Sequence, residues 1–340
     1  MDIPDIHISF KPLQDLLLKK SEANILLAAI ELDLFSLLEK IHFAEDIAQK
    51  CQFHLQNTIH LLNALAAFDV IQKDGDRYIN SPIAHDFLVK GKDTYLGDYL
   101  CASDPWYSIH PEKISLLVRE GPPERKEEII SGSDEFREMQ TRGSINYQRS
   151  GMAQIVVKQI SSLPEYNGFS RMLDLGCGPG ILGIALILDH PTMNGVLFDQ
   201  PPVAEVAKRC AAEYGVSDRI SVMSGDYLVD SIGEEYDLIL ASMTLNYALG
   251  SFDRLMKKIY EALRPGGVFV TVSDGTTRNG TKPEEMVISM LLPGLMGQDM
   301  AIHEDFIANA MLDAGFYKVR SRPVQTPVGE VEWTIGKKLV

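Results

Sequence analysis

Residues 174–183 read DLGCGPGILG and combine a carboxylate with closely spaced glycines. Glycine lets the backbone turn sharply and approach a ligand closely, because it has no side chain. We therefore interpret Gly176, Gly178 and Gly180 as a loop that cups a small molecule. Asp174 precedes them, and a carboxylate at this point suits a ligand that has a cationic end and no phosphate groups.

A second interpretation of the same loop is a dinucleotide site. Gly178, Gly180 and Gly183 have the spacing G-x-G-x-x-G, which is typical of loops that hold a pyrophosphate. That interpretation predicts a nicotinamide-dependent dehydrogenase. It also places the pyrophosphate close to Asp174, which is unfavourable for two anions, so we expect a different cofactor.

Two further acids and an aromatic residue follow the next apolar runs. Asp199 lies 23 residues after Gly176, and a carboxylate there can accept hydrogen bonds from both hydroxyls of a ribose. Gly225 and Asp226 end the following run. Asp226 can accept a hydrogen bond from an adenine amino group, while the ring of Tyr227 packs against the base. Together these residues predict a nucleoside with a positively charged end.

Apolar runs alternate with helical patterns from Ser170 onward, and these elements position the residues above. The predicted strands are 171–176, 194–199, 219–226, 236–243 and 266–274, and the predicted helices are 181–191, 202–215 and 251–263. Repeated strand–helix units form a parallel sheet that is covered on both faces, and unbroken apolar strands fit such burial. The predicted fold class is α/β, with the glycine loop at the edge where such sheets bind ligands.

The first hundred residues show short helices and one hairpin. Apolar residues at helical spacing predict helices over 22–40, 44–51 and 55–70, the first with Ser21 as its N-cap. An Asp-Gly pair at 74–75 is a strong turn signal between two short extended segments. Helices followed by a two-stranded wing indicate a winged-helix domain.

Charge decides between the two usual roles of a winged helix. The chain has 32 Lys and Arg against 47 Asp and Glu, a net charge of −15. Residues 1–100 contain 9 basic and 15 acidic side chains, and no Lys or Arg lies between His54 and Val70, where a DNA reader would place them. We therefore expect no nucleic-acid partner. The rich apolar helix faces favour a homodimer, in which a symmetric partner covers them.

We expect a cytoplasmic protein without a membrane segment or a metal centre. No apolar run approaches the roughly 18 residues of a membrane-spanning helix, and the acidic start lacks the features of a signal peptide. The four cysteines are scattered without metal-ligand spacing. The expected domains are 1–100 for dimerisation, 101–160 as a helical connector that contributes to the substrate pocket, and 161–340 for cofactor binding.

The motifs together resemble a known family. The series D-x-G-x-G-x-G, then Asp199, then Gly225-Asp226, then R-P-G-G at 264–267 is similar to that of class I S-adenosylmethionine (SAM)-dependent methyltransferases. Longer segments resemble the small-molecule O-methyltransferases of plants and bacteria, which have an N-terminal winged-helix dimerisation domain. These segments are 26–38 (LLAAIELDLFSLL), 61–84 and 290–316.

This resemblance implies SAM as the cofactor and a Rossmann-like domain with a mostly parallel seven-stranded sheet. The residues that it assigns to the cofactor are Asp174, Gly176, Gly178 and Gly180 for the methionine part, Asp199 for the ribose, and Gly225, Asp226 and Tyr227 for the adenine. Ser242 stands where family members usually have a Lys or Arg directed toward the cofactor.

The chain departs from this family at the position of its general base. Methyl transfer is an in-line displacement, and a phenolic acceptor, with a pKa of about 10, gains roughly 10²–10⁴-fold from a base. The resembled enzymes place a His after the fourth strand. Asn246 stands there, and an amide cannot accept a proton at neutral pH.

Three hypotheses follow for a small aromatic or heteroaromatic acceptor. In the first, an O-methyltransferase, or one that acts on S, N or C, uses an acceptor that is already nucleophilic, and Asn246 orients it. In the second, another residue is the base, namely His110, His303, Asp274 or Tyr247. In the third, the chain binds a ligand without turnover and acts as a regulator.

Methionines indicate where the acceptor would bind. Four of them fall within fifteen residues of the C-terminal half, and methionine fills irregular space and contacts aromatic rings favourably. The residues predicted to line the substrate pocket are Trp106, Tyr107, Met243, Met290 and Met296. The alternative is that these side chains belong to an ordinary core or to a dimer interface.

Overall fold

The computed structural model describes residues 7–124, 134–298 and 300–339. The chain divides into two compact units, one that ends at Cys101 and one that begins at Ala102. The finer division expected from the sequence, with a separate connector over 101–160, stays a prediction.

The N-terminal unit consists of helices and a small hairpin. Its elements are α1 (Lys11–Glu31), α2 (Leu34–Leu38), α3 (Ala44–Cys51), α4 (Leu55–Ala67), β1 (Ile71–Asp74), β2 (Arg77–Asn80) and α5 (Pro82–Phe87). β1 and β2 are antiparallel, and Gly75 has a φ of 59° in the turn between them. The predicted winged helix is therefore confirmed. Its core contains fully buried side chains of α2 and α4, among them Phe35, Leu62 and Leu65.

The single helix predicted over 22–40 was wrong, because α1 ends at Glu31 and α2 begins at Leu34, after Asp33 with a φ of 54°. α1 also begins well before Ser21, so the prediction that Ser21 is its N-cap was wrong. The helix begins at Lys11, with a proline in its first turn, where proline is tolerated because the first amide groups have no partner inside the helix. Ser21 lies in the middle of the helix, and its hydroxyl donates to the carbonyl of Leu17 at 3.3 Å. This bond to the preceding turn satisfies the hydroxyl without ending the helix.

The remaining helices and strands build the C-terminal unit, and the division between the units falls within α6. They are α6 (Gly97–Tyr107), α7 (Pro111–Glu120), α8 (Asp134–Tyr147), a kinked turn (Gln148–Met152), α9 (Ala153–Ser161), a 3₁₀ turn (Tyr166–Gly168), β3 (Arg171–Leu175), α10 (Ile181–Asp189), β4 (Asn194–Asp199), α11 (Pro201–Glu213), β5 (Ile220–Ser224), β6 (Tyr236–Ser242), a 3₁₀ segment (Leu245–Ser251), α12 (Phe252–Ala262), β7 (Leu263–Ser273), β8 (Gly275–Thr276), α13 (Glu284–Ser289), α14 (Leu291–Leu295), β9 (Ile302–His303), α15 (Phe306–Asp313), β10 (Tyr317–Thr326) and β11 (Gly329–Lys337).

A mostly parallel sheet organises this unit. Within the described residues it has seven strands in the order β10-β11-β7-β6-β3-β4-β5. The strands from β7 to β5 in that order are parallel, and β11 is antiparallel to both of its neighbours. The predicted α/β fold class is confirmed, and the five predicted strands correspond to β3–β7.

The central strands bury both faces, which explains their unbroken apolar patterns. Successive side chains of a strand point to opposite faces, so on β3 Met172 joins one apolar cluster and Leu173 joins the other. Residues of α9, α10 and α11 complete the first cluster, and residues of α12 and α15 complete the second. The strands are thereby held with their carboxyl ends at one shared edge.

The sequence pattern missed β10 and β11. β10 lies at the edge of the sheet, and Val324 is its one buried residue, so no apolar run marks this strand. β10 is held in the sheet by its backbone pairing with β11, and an apolar pattern along the sequence does not reveal such pairing.

The helices among the described residues include none with the length and apolar character needed to cross a membrane.

Candidate active site

A cavity of about 680 Å³ opens at the carboxyl ends of β3, β4, β5 and β6. Sites for small molecules typically enclose about 300–1,000 Å³. The residues predicted from the sequence that line this cavity are Gly176, Gly178, Asp199, Gly225, Asp226, Tyr227, Ser242, Met243 and Tyr247. The cavity therefore collects side chains that follow four different strands.

Close packing explains two of the glycines in the loop. Gly176 and Gly180 have φ angles of 67° and 77°, a region that residues with a side chain rarely adopt. A Cβ atom on Gly176 would lie 2.1 Å from Oγ1 of Thr244, and one on Gly180 would lie 2.6 Å from Cδ1 of Leu197. Gly180 supports the loop from behind and does not line the cavity, in contrast to its predicted place beside the cofactor.

Asp199 ties the loop to β4 and faces the cavity. Its Oδ2 accepts a hydrogen bond from the N–H of Gly178 at 2.8 Å, and its Oδ1 accepts one from the N–H of Gln200 at 2.7 Å. Burial raises the pKa of Asp199, and these two N–H groups oppose that rise. Each carboxylate oxygen still has a free lone pair, so a ligand with hydroxyl groups can bind here.

Asp174 lies behind the loop rather than on the cavity wall. It is 1% exposed, and its Oδ2 accepts a hydrogen bond from the N–H of Gly183 at 2.9 Å. Burial raises the pKa of Asp174 to about 7, with a further rise from the charge of Asp199. The sequence motif predicts this carboxylate next to the cofactor. In the structure it instead holds the first turn of α10, because its position on β3 directs it beneath the loop.

Asp226 and Tyr227 form the wall after β5. Oδ1 of Asp226 accepts a hydrogen bond from the N–H of Leu228 at 2.8 Å. The hydroxyl of Tyr227 donates to the carbonyl of Thr244 at 2.8 Å. The hydroxyl of Tyr227 therefore already has a hydrogen-bond partner, and its ring presents an apolar surface to the cavity.

The charged groups on the cavity wall are acids. Asp199 and Asp226 line it, and no Lys, Arg or His is present among its described lining residues. Ser242, the last residue of β6, lines the cavity. It stands at the position where members of the resembled family usually have a Lys or Arg. Such a wall suits a ligand that has positive charge and no phosphate.

The two residues predicted to be catalytic are placed differently. Asn246 is 8% exposed, and its Nδ2 donates to the carbonyl of Met300 at 2.9 Å. Asn246 does not line the cavity, whereas Tyr247 does and leaves 70% of its surface open. The pKa of Tyr247 is raised by burial of its hydroxyl and then by the charges of Asp274 and Asp199.

Sequence reasoning missed one wall of the cavity. Ser144 and Tyr147 of α8 and Gln148 and Met152 of the kinked turn line it. Oε1 of Gln148 is buried without a hydrogen-bond partner in the described part of the chain. No motif marks these residues. The other missed lining residues are sequence neighbours of predicted ones, namely Leu182, Gln200, Val203, Leu228 and Thr244.

Four of the predicted substrate-pocket residues lie outside this cavity. Met243 lines it, but Trp106, Tyr107, Met290 and Met296 do not. Met296 is 6% exposed at the end of α14, where it packs as a core residue, whereas Tyr107 is 55% exposed. A role of these four side chains in holding the acceptor stays a prediction.

The candidate bases have unequal surroundings. His110 caps α7 by accepting from the N–H of Glu112 at 3.4 Å, and His303 is hydrogen-bonded to Oγ1 of Thr276 at 2.9 Å. Asp274 follows β7, and burial raises its pKa to about 6. Among the described residues, no group of three or more His, Cys, Asp or Glu could hold a metal ion.

Comparisons with known proteins agree with this architecture. The N,N-dimethyltransferase OxyT of Streptomyces rimosus is 26% identical over 319 residues, which cover 88% of this chain and 88% of OxyT. The tetracenomycin polyketide synthesis 8-O-methyl transferase TcmO of Streptomyces glaucescens is 24% identical over 313 residues, which cover 90% of this chain and 91% of TcmO. The crystal structure of human N-acetylserotonin methyltransferase in complex with SAM has the same fold, with a TM-score of 0.80, 19% identity and complete coverage of both chains.

Two family descriptions match the chain directly. Residues 15–90 match the O-methyltransferase dimerisation domain, and residues 128–316 match the O-methyltransferase domain. The second match alone spans more than half of the 340 residues. The chain therefore belongs to the O-methyltransferase family and is a SAM-dependent methyltransferase.

Proposed function

We propose that this enzyme transfers the methyl group of SAM to an oxygen atom of a small aromatic or heteroaromatic metabolite. The observation that supports this most is the cavity at the sheet edge, where acids face the ligand and the described lining residues include no Lys, Arg or His. SAM has a sulfonium and an ammonium group and has no phosphate, so its charge is complementary to this wall.

The cavity wall offers a partner for each part of the cofactor. Asp199 would hold the ribose hydroxyls, Asp226 the adenine amino group, and the ring of Tyr227 the face of the base. At the other end, Gly178 leaves space beside Gln148, because a Cβ there would meet only Nε2 of Gln148, at 3.7 Å. The unpartnered Oε1 of Gln148 would accept a hydrogen bond from the methionine part.

SAM supplies an electrophilic methyl group on a positively charged sulfur. The protein must place the acceptor atom in line with that group and keep water away from it. Tyr147, Met152 and Met243 add apolar surface to the wall, which fits a flat acceptor.

We assign Asn246 a positioning role. Its hydrogen bond to the carbonyl of Met300 holds the 3₁₀ segment that presents Tyr247 to the cavity. An amide at the position where the resembled enzymes have a His cannot remove a proton. Asn246 would therefore contribute through the placement of its neighbours.

The names of the relatives support this class of reaction and leave a second acceptor atom open. TcmO is named as an 8-O-methyl transferase and OxyT as an N,N-dimethyltransferase. An amine nitrogen is therefore the second candidate acceptor.

We also propose that the enzyme is a homodimer. The dimerisation domain supports this, and the start of the chain exposes a series of apolar side chains, with Phe10, Leu13 and Leu17 at least 70% exposed. A contiguous apolar surface of this kind marks an interaction site. Leu13→Glu combined with Leu17→Glu should convert a dimer to a monomer in light scattering, whereas Lys19→Gln, an exposed position on the other side of the helix, should not. A dimer that survives the double substitution would contradict the proposal.

The central experiment measures binding and transfer separately. Calorimetry should show binding of SAM and S-adenosylhomocysteine and no binding of NAD. Incubation with methyl-labelled SAM and a panel of phenols, thiols and amines should label a phenol. Binding without transfer to any member of the panel would favour the alternative of a ligand-binding regulator.

A further inference from the structure

The order of strands along the sheet edge shows which side of the cavity remains for the acceptor. The edge runs β5, β4, β3, β6, β7, and the residues proposed for adenine, ribose and methionine follow β5, β4 and β3. Ser242 ends β6 in register with Val272 of β7, and the N–H of Met243 donates to the carbonyl of Val272 at 2.9 Å. Since neighbouring strands lie about 4.8 Å apart, Asp274, directly after β7, stands next along the edge beyond the methionine part.

Asp274 differs from the other acids of this edge because its carboxylate has no hydrogen-bond partner within residues 7–124, 134–298 and 300–339. Asp199 accepts two backbone N–H groups and Asp226 accepts one. Among the described residues, Asp274 takes part in no hydrogen bond or ion pair, although burial raises its pKa to about 6. Leaving a largely buried carboxylate without a donor is costly, which indicates that a ligand supplies the donor.

Two aromatic side chains share the surroundings of Asp274. Tyr107 of α6 and Tyr247 of the 3₁₀ segment both have a raised pKa, first from burial and then from the charge of Asp274. Glu285 of α13 also raises the pKa of Tyr107. Both rings are more than half exposed, so they offer flat surfaces on which an aromatic acceptor can stack.

The neighbouring strands contribute two more titratable groups. Glu332 of β11 is the register partner of Ser273, and its Oε1 accepts a hydrogen bond from the hydroxyl of Thr334 at 3.2 Å. His303 of β9 is occupied by Thr276. Neither group makes a hydrogen bond to the carboxylate of Asp274, which leaves that carboxylate available.

We propose that Asp274 accepts the proton that is released in the methyl transfer. The molecule that receives the methyl group therefore binds with an acidic O–H or N–H directed at the carboxylate of Asp274. This inference rests on the proposed function and deepens it. The acceptor's lone pair forms the bond to the methyl carbon, and the carbon–sulfur electron pair leaves with sulfur. The proton of the acceptor passes to an Oδ of Asp274, which then releases it to solvent.

The other candidates fit this role less well. The phenol of Tyr247 stays protonated because burial and two nearby acids raise its pKa, so it cannot take a proton from the methyl acceptor at neutral pH. His110 is an exposed helix cap. Asp274 combines a free carboxylate with a position beside the cavity wall.

The test compares Asp274→Asn with Glu285→Gln, which removes an exposed acid that also faces Tyr107. The probes are 1-naphthol, 4-nitrophenol and benzylamine with methyl-labelled SAM. We expect Asp274→Asn to lower kcat for 1-naphthol by about 10²–10⁴-fold, the usual contribution of a general base. The loss should be smaller for 4-nitrophenol, which ionises without help. Glu285→Gln should keep near wild-type kcat.

Two readouts separate this role from a structural one. The kcat of the wild type should fall as pH decreases through about 6, and this limb should be absent in Asp274→Asn. The Kd values of SAM and S-adenosylhomocysteine, measured by calorimetry, should stay within about twofold of wild type. Asp274→Glu, which keeps a carboxylate, should recover part of the rate and provides a second test if the amide variant folds poorly.

Three outcomes would overturn the inference in distinguishable ways. An unchanged kcat and pH profile in Asp274→Asn would remove Asp274 as the base and leave the proposed function intact. Weaker binding of SAM but not of S-adenosylhomocysteine would assign the carboxylate to the sulfonium charge instead. Binding of SAM by the wild type without transfer to any probe would overturn the proposed function together with this inference. A fourth outcome would instead support the inference: if Asp274→Asn lowers kcat more for benzylamine than for the phenols, Asp274 is the base and an amine is the methyl acceptor.

Discussion

The proposed cofactor side of the cavity and the proposed acceptor side next to it are built in opposite ways. On the cofactor side, Asp199 and Asp226 are held by backbone N–H groups, and the glycine loop is pinned between packed elements. On the acceptor side, Tyr247 is open and Asp274 has no partner among the described residues. The first side is organised before a ligand binds, and the second side leaves its polar groups for the ligand to satisfy.

The largest expected effect comes from a substitution in the glycine loop of the cofactor side. Gly176→Ala places a Cβ 2.1 Å from Oγ1 of Thr244 on a residue with a φ of 67°. We expect binding of S-adenosylhomocysteine to weaken by on the order of 1,000-fold, about 4 kcal/mol, in calorimetry. Gly168→Ala is the matched control, because nothing lies within 4 Å of its Cβ position. Equal binding by the two variants would contradict the packing argument.

The next effect is the pH dependence of stability that Asp174, behind the glycine loop, causes. The folded state raises the pKa of Asp174 from 3.8 to about 7, so between these values the unfolded state binds fewer protons. The contribution of Asp174 to the free energy of unfolding is therefore fully present below about pH 4. This contribution, about 4 kcal/mol, is lost as the pH rises through about 7.

Asp174→Asn removes the charge and should flatten that part of the pH dependence in chemical denaturation. Asp313→Asn, an exposed position on α15, should leave it unchanged. An identical pH slope for Asp174→Asn and the wild type would show that burial of Asp174 has no such cost.

A smaller effect is expected at the ribose. Asp199→Ala should weaken the binding of SAM by about 1–3 kcal/mol, the amount expected when hydrogen bonds to a charged acceptor are lost. Asp253→Ala, on the exposed first turn of α12, should not change the Kd. An unchanged Kd in Asp199→Ala would move the ribose to another part of the cavity.

The smallest effect tests the boundary between the two sides. Asn246→Ala removes the hydrogen bond to Met300, which is worth about 1 kcal/mol. We expect kcat to fall roughly tenfold while the Kd of SAM stays constant, because Tyr247 shifts and the cofactor wall does not. The exposed Asn309→Ala is the control, and full activity of Asn246→Ala would show that Asn246 does not position the acceptor side.

Local patterns predicted the strands that carry the proposed cofactor side. The apolar runs before Gly176, Asp199 and Asp226 predicted strands that end within two residues of the ends of β3, β4 and β5. Because parallel strands share one carboxyl edge, residues that follow them must meet there. The winged helix followed in the same way from helical spacing and one turn signal.

Only the tertiary structure could show which of these side chains reach the ligand. Asp174 and Gly180 belong to the motif but lie behind the cavity, whereas Gln148, from a segment without a motif, lies on its wall. Asn246 turns to Met300, and Asp274 is brought beside Tyr247 by the pairing of β6 with β7. These contacts join residues far apart in the chain, and periodicity describes only neighbours along it. The order of strands and helices is thus encoded locally in the sequence. Whether each polar group has a hydrogen-bond partner or faces the cavity depends instead on long-range packing.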